Sequence, residues 1–183
     1  MSSLPRVARY LVLVVVLASP GVGACGGEED TRFEAKGFQI TFDYPEGFEE
    51  SDDVTINEQQ GSQAEDSRAV GLDEDNGIIV QRYKLQASIS KDNLDLAKTE
   101  FDALVGGLSP DAAEGESSEI AGLPALRYSY VPVRSVEKGQ SSLIVLFDGS
   151  TEYLINCQST PQKRSEINEA CDLAADTLEV KGT

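Results

Sequence analysis

The first residues to test for chemistry are Ser88-Ile89-Ser90-Lys91, because in a Ser-x-x-Lys spacing a lysine one helical turn away can deprotonate the serine and make it a nucleophile. The spacing recurs at Ser135-Val136-Glu137-Lys138. Neither copy has the Ser-Asp-Asn or Lys-Thr-Gly companions that such enzymes use. The chain contains no histidine, which excludes imidazole-activated serine or cysteine nucleophiles and histidine-bound zinc. It also lacks a Gly-x-Ser-x-Gly elbow, a phosphate-binding loop and a dinucleotide glycine fingerprint. Asp73-Glu74-Asp75-Asn76-Gly77 crowds oxygen ligands as a calcium loop does. Its glycine, however, stands fifth rather than sixth, and a strand replaces the distant bidentate glutamate. A hairpin turn accounts for every residue of that segment, with weak calcium binding at Asp73 to Asp75 as the alternative. The expectation is a protein without catalysis, cofactor or dedicated metal.

What remains is binding. Among 183 residues there are 32 acidic and 15 basic side chains, a formal charge of −17, which excludes a nucleic-acid binder on electrostatic grounds. Glu46, Glu49, Glu50, Asp52 and Asp53 form an acidic run, and Glu49, Glu50, Asp52 and Asp53 are the candidate docking patch for a protein partner with a basic surface. The plain alternative for such a run is a solvated surface. Arg82, Tyr83, Arg127, Tyr128 and Tyr130 could line a pocket, or the tyrosines could face the core with the arginines as their wet neighbours. A ligand held between sheet and helix is therefore the second functional reading, and an envelope hydrolase built on Ser88 is the third.

Residues 1–24 hold Arg6 and Arg9 and no acid, followed by the apolar run Tyr10 to Ala18 and then small residues. That is the layout of an export signal, and nine apolar residues are far too few to cross a hydrocarbon core of about 30 Å. Val22-Gly23-Ala24-Cys25 resembles a bacterial lipobox, whose cysteine becomes diacylated and N-terminal after cleavage; the alternative is an ordinary secreted protein cut nearby. Two acyl chains suffice for stable anchoring where one would not. The expected boundaries are a cleaved signal at 1–24, lipidated Cys25 with a flexible tether at 25–35, and one globular domain at 36–183. Loss of two arginines and no acid takes the mature charge from −17 to −19. The domain should therefore be extracytoplasmic, lipid-anchored to the cell membrane through Cys25, and repelled by anionic lipid.

Export leaves Cys157 and Cys171 in an oxidising compartment with one possible pairing. Tyr153, Ile155 and Cys157 share a strand face, and Ile167, Cys171, Ala174 and Leu178 share a helix face. About four extended residues out and nine helical steps back cover nearly equal lengths, so the sulfurs come level. The alternative is two buried free thiols.

The elements that must position these residues follow from periodicity. Phe38 to Pro45 alternates apolar and polar, which predicts a strand with one wet face, and a weaker strand is expected near Val54 to Glu58. Ala69 to Leu72 and Ile78 to Leu85 flank Asn76-Gly77, the strongest short hairpin signal. From Asp92 the period becomes helical, with Leu94, Ala97, Phe101, Leu104, Val105 and Leu108 on one face, an N-cap at Asp92 or Asn93, and a stop at Gly106-Gly107. Pro110 to Ser118 reads as irregular. Ala125 to Val133, Ser142 to Phe147 and Glu152 to Gln158 read as three strands, turning at Lys138-Gly139 and Asp148-Gly149, and a helix closes the chain from about Gln162 to Leu178. Leu143 to Phe147 is apolar throughout and should be covered on both faces. This order predicts a single α+β domain with a mainly antiparallel sheet of about six strands flanked by helices.

The opening strand Phe38 to Pro45 with Glu46-Gly47-Phe48, the pattern Tyr153-x-x-x-Cys157, and Ala170-Cys171 followed by Thr177-Leu178 together resemble the PsbP-like family, which includes the DcrB lipoprotein and the LpqN-type lipoproteins of actinobacteria. The resemblance spans roughly residues 36–180, with Phe48 where the family often has tryptophan. It implies an α/β/α sandwich used for binding and assembly, and brings no catalytic residue with it.

Replacing Cys25 tests the anchor. Cys25→Ser should block acylation and processing or move the protein to the soluble fraction, measured by membrane fractionation and intact mass. A mutant that is processed normally and stays membrane-bound without acyl mass contradicts the lipoprotein reading.

Overall fold

A computed structural model describes residues 30–52, 64–108, 114–133 and 138–181. Its strand pairing follows from the hairpin signal. Asp73 Oδ1 accepts from the Asp75 N–H at 2.9 Å and from Asn76 Nδ2 at 2.7 Å, so the turn uses this carboxylate itself. Burial works to raise the Asp73 pKa, but those hydrogen bonds outweigh it and hold the group below the usual carboxylate value. The turn joins β4 (Asp66–Gly71) to β5 (Gly77–Ile89) in an antiparallel ladder from Gly71 opposite Gly77 to Asp66 opposite Arg82.

The apolar run predicted to lie inside does so. Strand β8 (Gly139–Ser159) pairs with β7 (Leu123–Val133) along residues 139–146 and with β5 along residues 149–158. A straight strand would hold the ends of β8 about 60 Å apart at ordinary strand rise. Instead, Ser159 Oγ donates to the Gln140 carbonyl at 3.3 Å, so the segment folds back on itself near Gly149, whose φ is +60°. Burial parity agrees: Ile144 and Leu146 share a core with Tyr153, Ile155 and Cys157, while Val145 and Phe147 share the other with Leu154. The expected turn at Asp148-Gly149 is thus present between two arms of one extended segment. The sheet order is β3-β4-β5-β8-β7-β6, with every neighbouring pair antiparallel.

Each face has its own cover. Helix α1 (Leu94–Leu108) lays Leu94, Ala97, Phe101 and Val105 over Leu126, Tyr128, Val145 and Phe147. On the opposite face lie α2 (Arg164–Asp176), which buries Ile167, Ala170, Cys171 and Ala174, and a three-stranded sheet in the order β1 (Thr31–Phe33), β2 (Ile40–Tyr44), β9 (Glu179–Val180). Phe33 stacks on Phe42 with ring centroids 4.6 Å apart. The Arg32 guanidinium donates to Asp43 at 2.9 Å and Thr41 at 2.8 Å and pairs with Glu179, tying all three small strands together. The layers are those of an α/β/α sandwich.

Five local expectations are corrected. The tether does not run to residue 35: Thr31–Phe33 is a strand, and Phe33 is fully buried because the stacked phenylalanines need it. The acidic run contains strand β3 (Glu49–Ser51), paired with β4; residues 54–58 lie outside the described ones. Part of the segment read as irregular is edge strand β6 (Glu116–Ile120), paired with β7. Helix α1 continues through Gly106-Gly107, with Leu104 and Leu108 exposed rather than buried, while Val105 packing holds the last turn. Its start also differs. Ser90 caps a 3-10 turn at Lys91–Asn93, its N–H donating to Asn93 Oδ1 at 2.7 Å.

Helix α1 is tied down through Asp102, whose Oδ1 accepts from the Gly115 N–H and the Tyr128 hydroxyl, both at 2.9 Å, and whose Oδ2 accepts from Lys98 at 2.5 Å. A Cβ on Gly115 would lie 2.3 Å from the Tyr128 ring, so only glycine lets the chain pass here. No helix among the described residues is long and apolar enough to cross a membrane.

Glu152 lies opposite Tyr83 at 8% exposure, and burial pushes its carboxyl up to about 7. Because the folded state holds a proton that the unfolded state releases above about 4.5, this group's contribution is full below that value. It is lost as pH rises toward about 7. Glu152→Gln should flatten the stability profile over that window and raise stability at pH 8 by up to about 3 kcal/mol relative to its effect at pH 4, read from denaturant titrations. An unchanged pH dependence would contradict the buried-acid assignment.

Candidate functional site

The candidate site is a groove where α2 is too narrow to cover the whole sheet. Its floor comes from β7 and the first arm of β8. Tyr128 pairs with Leu143 and Val131 with Ser141, so Ser129 and Tyr130 together oppose the single residue Ser142. This is a β-bulge, which re-aims the side chain of the extra residue. Tyr130 takes φ +61° and is 62% exposed. A left-handed conformation costs a non-glycine residue about 1 to 2 kcal/mol, and an exposed tyrosine recovers little by burial.

The helix supplies the wall. Asn168, Cys171 and Asp172 stand on the α2 side, facing Arg127, Tyr130 and Ser142 across a groove of about 190 Å³. A shallower extension of about 10 Å³ continues past Gln140 and Ser159 to Arg164, sharing Tyr130, Ser142 and Asn168 with the main compartment. Helix α2 is fixed against the sheet by the Cys157–Cys171 disulfide, with Cα atoms 6.0 Å apart, and Cys171 itself lines the groove. The expected pairing of these two cysteines is therefore present. A second tie runs through Asn76, whose Oδ1 accepts from the Thr160 N–H at 2.7 Å and hydroxyl at 3.0 Å, joining the β4–β5 turn to the approach of α2.

Other predicted residues fall elsewhere. Cys25 and Asp53 lie outside the described residues. Glu49 and Glu50 are exposed on β3, at one edge of the sheet. Glu50 accepts from the Tyr44 hydroxyl at 3.2 Å; burial, then the Glu50 charge and this hydrogen bond, push the Tyr44 pKa up to about 12. Asp52 pairs with Arg68 at 3.0 Å, so the docking patch loses part of its field there. Ser88 lies on a strand and Lys91 pairs with Glu119, so Ser-x-x-Lys does not form the helical turn its chemistry requires. The Ser135 copy lies outside the described residues.

Arg127, Tyr128 and Tyr130 do line one pocket, while Arg82 lies elsewhere, bonding the Gly37 carbonyl and pairing with Glu65. Sequence reasoning missed Gln140, Ser142, Arg164, Asn168 and Asp172, whose meeting depends on long-range packing. One local signal was available: the apolar alternation Leu126, Tyr128 resumes at Val131 and Val133, a phase slip of one residue at Tyr130.

No family model and no curated protein matches the chain. Among solved structures, it is similar to the solution structure of cyanobacterial PsbP (CyanoP) from Synechocystis sp. PCC 6803, at 14% identity and a TM-score of 0.57, covering 86% of this chain and 96% of that one. A crystal structure from Bacteroides thetaiotaomicron is similar at 14% identity and a TM-score of 0.53, over 82% of this chain; the match spans about half (48%) of that chain. At such identities the likeness is one of fold, and the fold is PsbP-like.

Tyr130→Gly tests whether the bulge is kept for its side chain. Glycine accepts positive φ freely, so the variant should be as stable as the parent or more stable by about 1 kcal/mol, measured by thermal unfolding. A loss above about 1 kcal/mol would assign Tyr130 to packing instead.

Proposed function

We propose that the protein is a lipid-anchored, non-enzymatic binding module of the bacterial envelope, held at the outer face of the cytoplasmic membrane by acyl chains on Cys25 and docking a basic protein partner through its acidic edge. The observation that carries this reading is where the chain joins the fold. Thr31 pairs with Tyr44, and Tyr44 in turn bonds Glu50. The six steps from Cys25 to Thr31 reach at most about 20 Å when fully extended. An anchor at Cys25 would thus keep Glu49 and Glu50 close to the bilayer, where a partner embedded in the same membrane presents its extracytoplasmic loops. The PsbP-like fold supports a binding role, and the absence of histidine together with the strand position of Ser88 supports the non-enzymatic one. Fixed charge of this sign gives a partner long-range steering that salt screens.

The test is in-cell photo-cross-linking from position 49 or 50, with position 96 on α1 as the control in the other layer, followed by binding measurements on the partner so identified. Association should slow markedly between low and high salt. Glu49→Gln with Glu50→Gln should carry most of the weakening, whereas Asp52→Asn adds little because Arg68 already offsets that charge. A partner whose on-rate is indifferent to salt and to the double substitution contradicts acidic docking.

A further inference from the structure

We propose that the groove between α2 and the β7–β8 floor binds a small oxyanion, a phosphate or carboxylate group held by Arg127 and Arg164 beside the ring of Tyr130. This site is separate from the acidic edge, lying on the far side of β4 and β5 in the sheet order.

The argument begins with the arginines. Of the five among the described residues, Arg32 pairs with Asp43 and Glu179, Arg68 with Asp52 and Asp66, and Arg82 with Glu65. Arg127 and Arg164 alone have no carboxylate partner there, in a chain carrying 32 acids. Arg127 lines the main compartment of the groove and Arg164 its extension. Glu116 is the cross-strand neighbour of Arg127 and Asp172 stands across the groove from it, yet neither pairs with it. Two guanidiniums against the single carboxylate of Asp172 leave the site net positive within an acidic molecule.

Unmet hydrogen-bonding capacity points the same way. Buried Arg164 Nε, an N–H donor in the extension, has no hydrogen-bond partner among the described residues. Leaving buried polar atoms unpaired is costly, and a guanidinium fork is the side chain best matched to the planar or tetrahedral oxygens of a carboxylate or phosphate. Ser142 and Asn168 add neutral donors shared by both compartments. Tyr130, held out by the bulge, forms the rim. A space of about 190 Å³ is smaller than that of ordinary drug-sized sites, so it suits a head group or small dianion rather than a long chain.

The experiment is an amide-resolved NMR titration of the protein at low ionic strength with inorganic phosphate, succinate and glycerol 3-phosphate, accompanied by thermal unfolding. Saturable shifts confined to residues 127–131, Ser142, Arg164 and Asn168 are expected. Arg127→Gln and Arg164→Gln should each weaken binding about tenfold or more, and Lys84→Gln on the exposed part of β5 should leave it unchanged. Phosphate and succinate binding alike would identify a general oxyanion site; preference for glycerol 3-phosphate would identify a head-group site. Because neither arginine makes an ion pair among the described residues, the two substitutions should leave ligand-free stability unchanged while abolishing the ligand-induced rise in melting temperature. Non-saturating shifts, shifts spread over the whole surface, equal loss with Lys84→Gln, or no shift with any of the three anions would overturn the proposal. So would unfolding of both arginine variants at much lower temperature, since that assigns the side chains to the fold.

Discussion

The structure depends on keeping one segment dry on both sides. Along β8, Ile144 and Leu146 point into one core and Val145 and Phe147 into the other, so neither face of the sheet can be left to solvent. Fully burying such side chains contributes about 1.5 to 3 kcal/mol each, and the contribution is lost where a cover is absent. Helix α1 and the pairing of α2 with the small sheet are the two covers. The polar ties collect at their borders: Asp102 under α1, Asn76 before α2, and Arg32 across β1, β2 and β9.

The groove is a by-product of this arrangement. Helix α2 packs on β2, β8 and β5, while α1 packs on β7. The face of β7 turned toward α2 therefore carries only a partial roof, and its residues there are polar: Arg127, Ser129 and the bulged Tyr130. The disulfide holds the helix at a fixed distance from the strand, so the opening cannot close by α2 sliding over the sheet. A rigid wall and a re-aimed aromatic make a site that holds a group in place.

Long, strongly patterned elements were legible in the sequence. Phe38 to Pro45 contains β2, Asn76-Gly77 sits at the β4–β5 turn, and the Cys157–Cys171 pairing followed from matching strand and helix lengths. Short strands were not. Thr31–Phe33 has one apolar residue in three, and β6 reads Glu-Ser-Ser-Glu-Ile, so periodicity has nothing to count; both are strands because a neighbour's ladder was already there. Gly106-Gly107 would end an isolated helix, but the packing of Val105 outweighs roughly 1 kcal/mol per glycine. The candidate site was legible only in part. Arg127, Tyr128 and Tyr130 are neighbours in sequence, whereas Gln140, Arg164 and Asn168 reach them through β8 folding back and α2 docking.

The small sheet has a kinetic consequence. Strand β2 lies between β1, which precedes it by a few residues, and β9, which follows more than a hundred residues later; the Arg32–Glu179 pair spans 147 positions. Contacts of such separation form late, since their loop-closure entropy must be met before they repay it. A chain that emerges N-terminus first leaves β2 without its second neighbour until β9 is free. The small sheet therefore closes only after the large sheet's strands are already available, and the Arg32–Glu179 tie is among the last contacts to form.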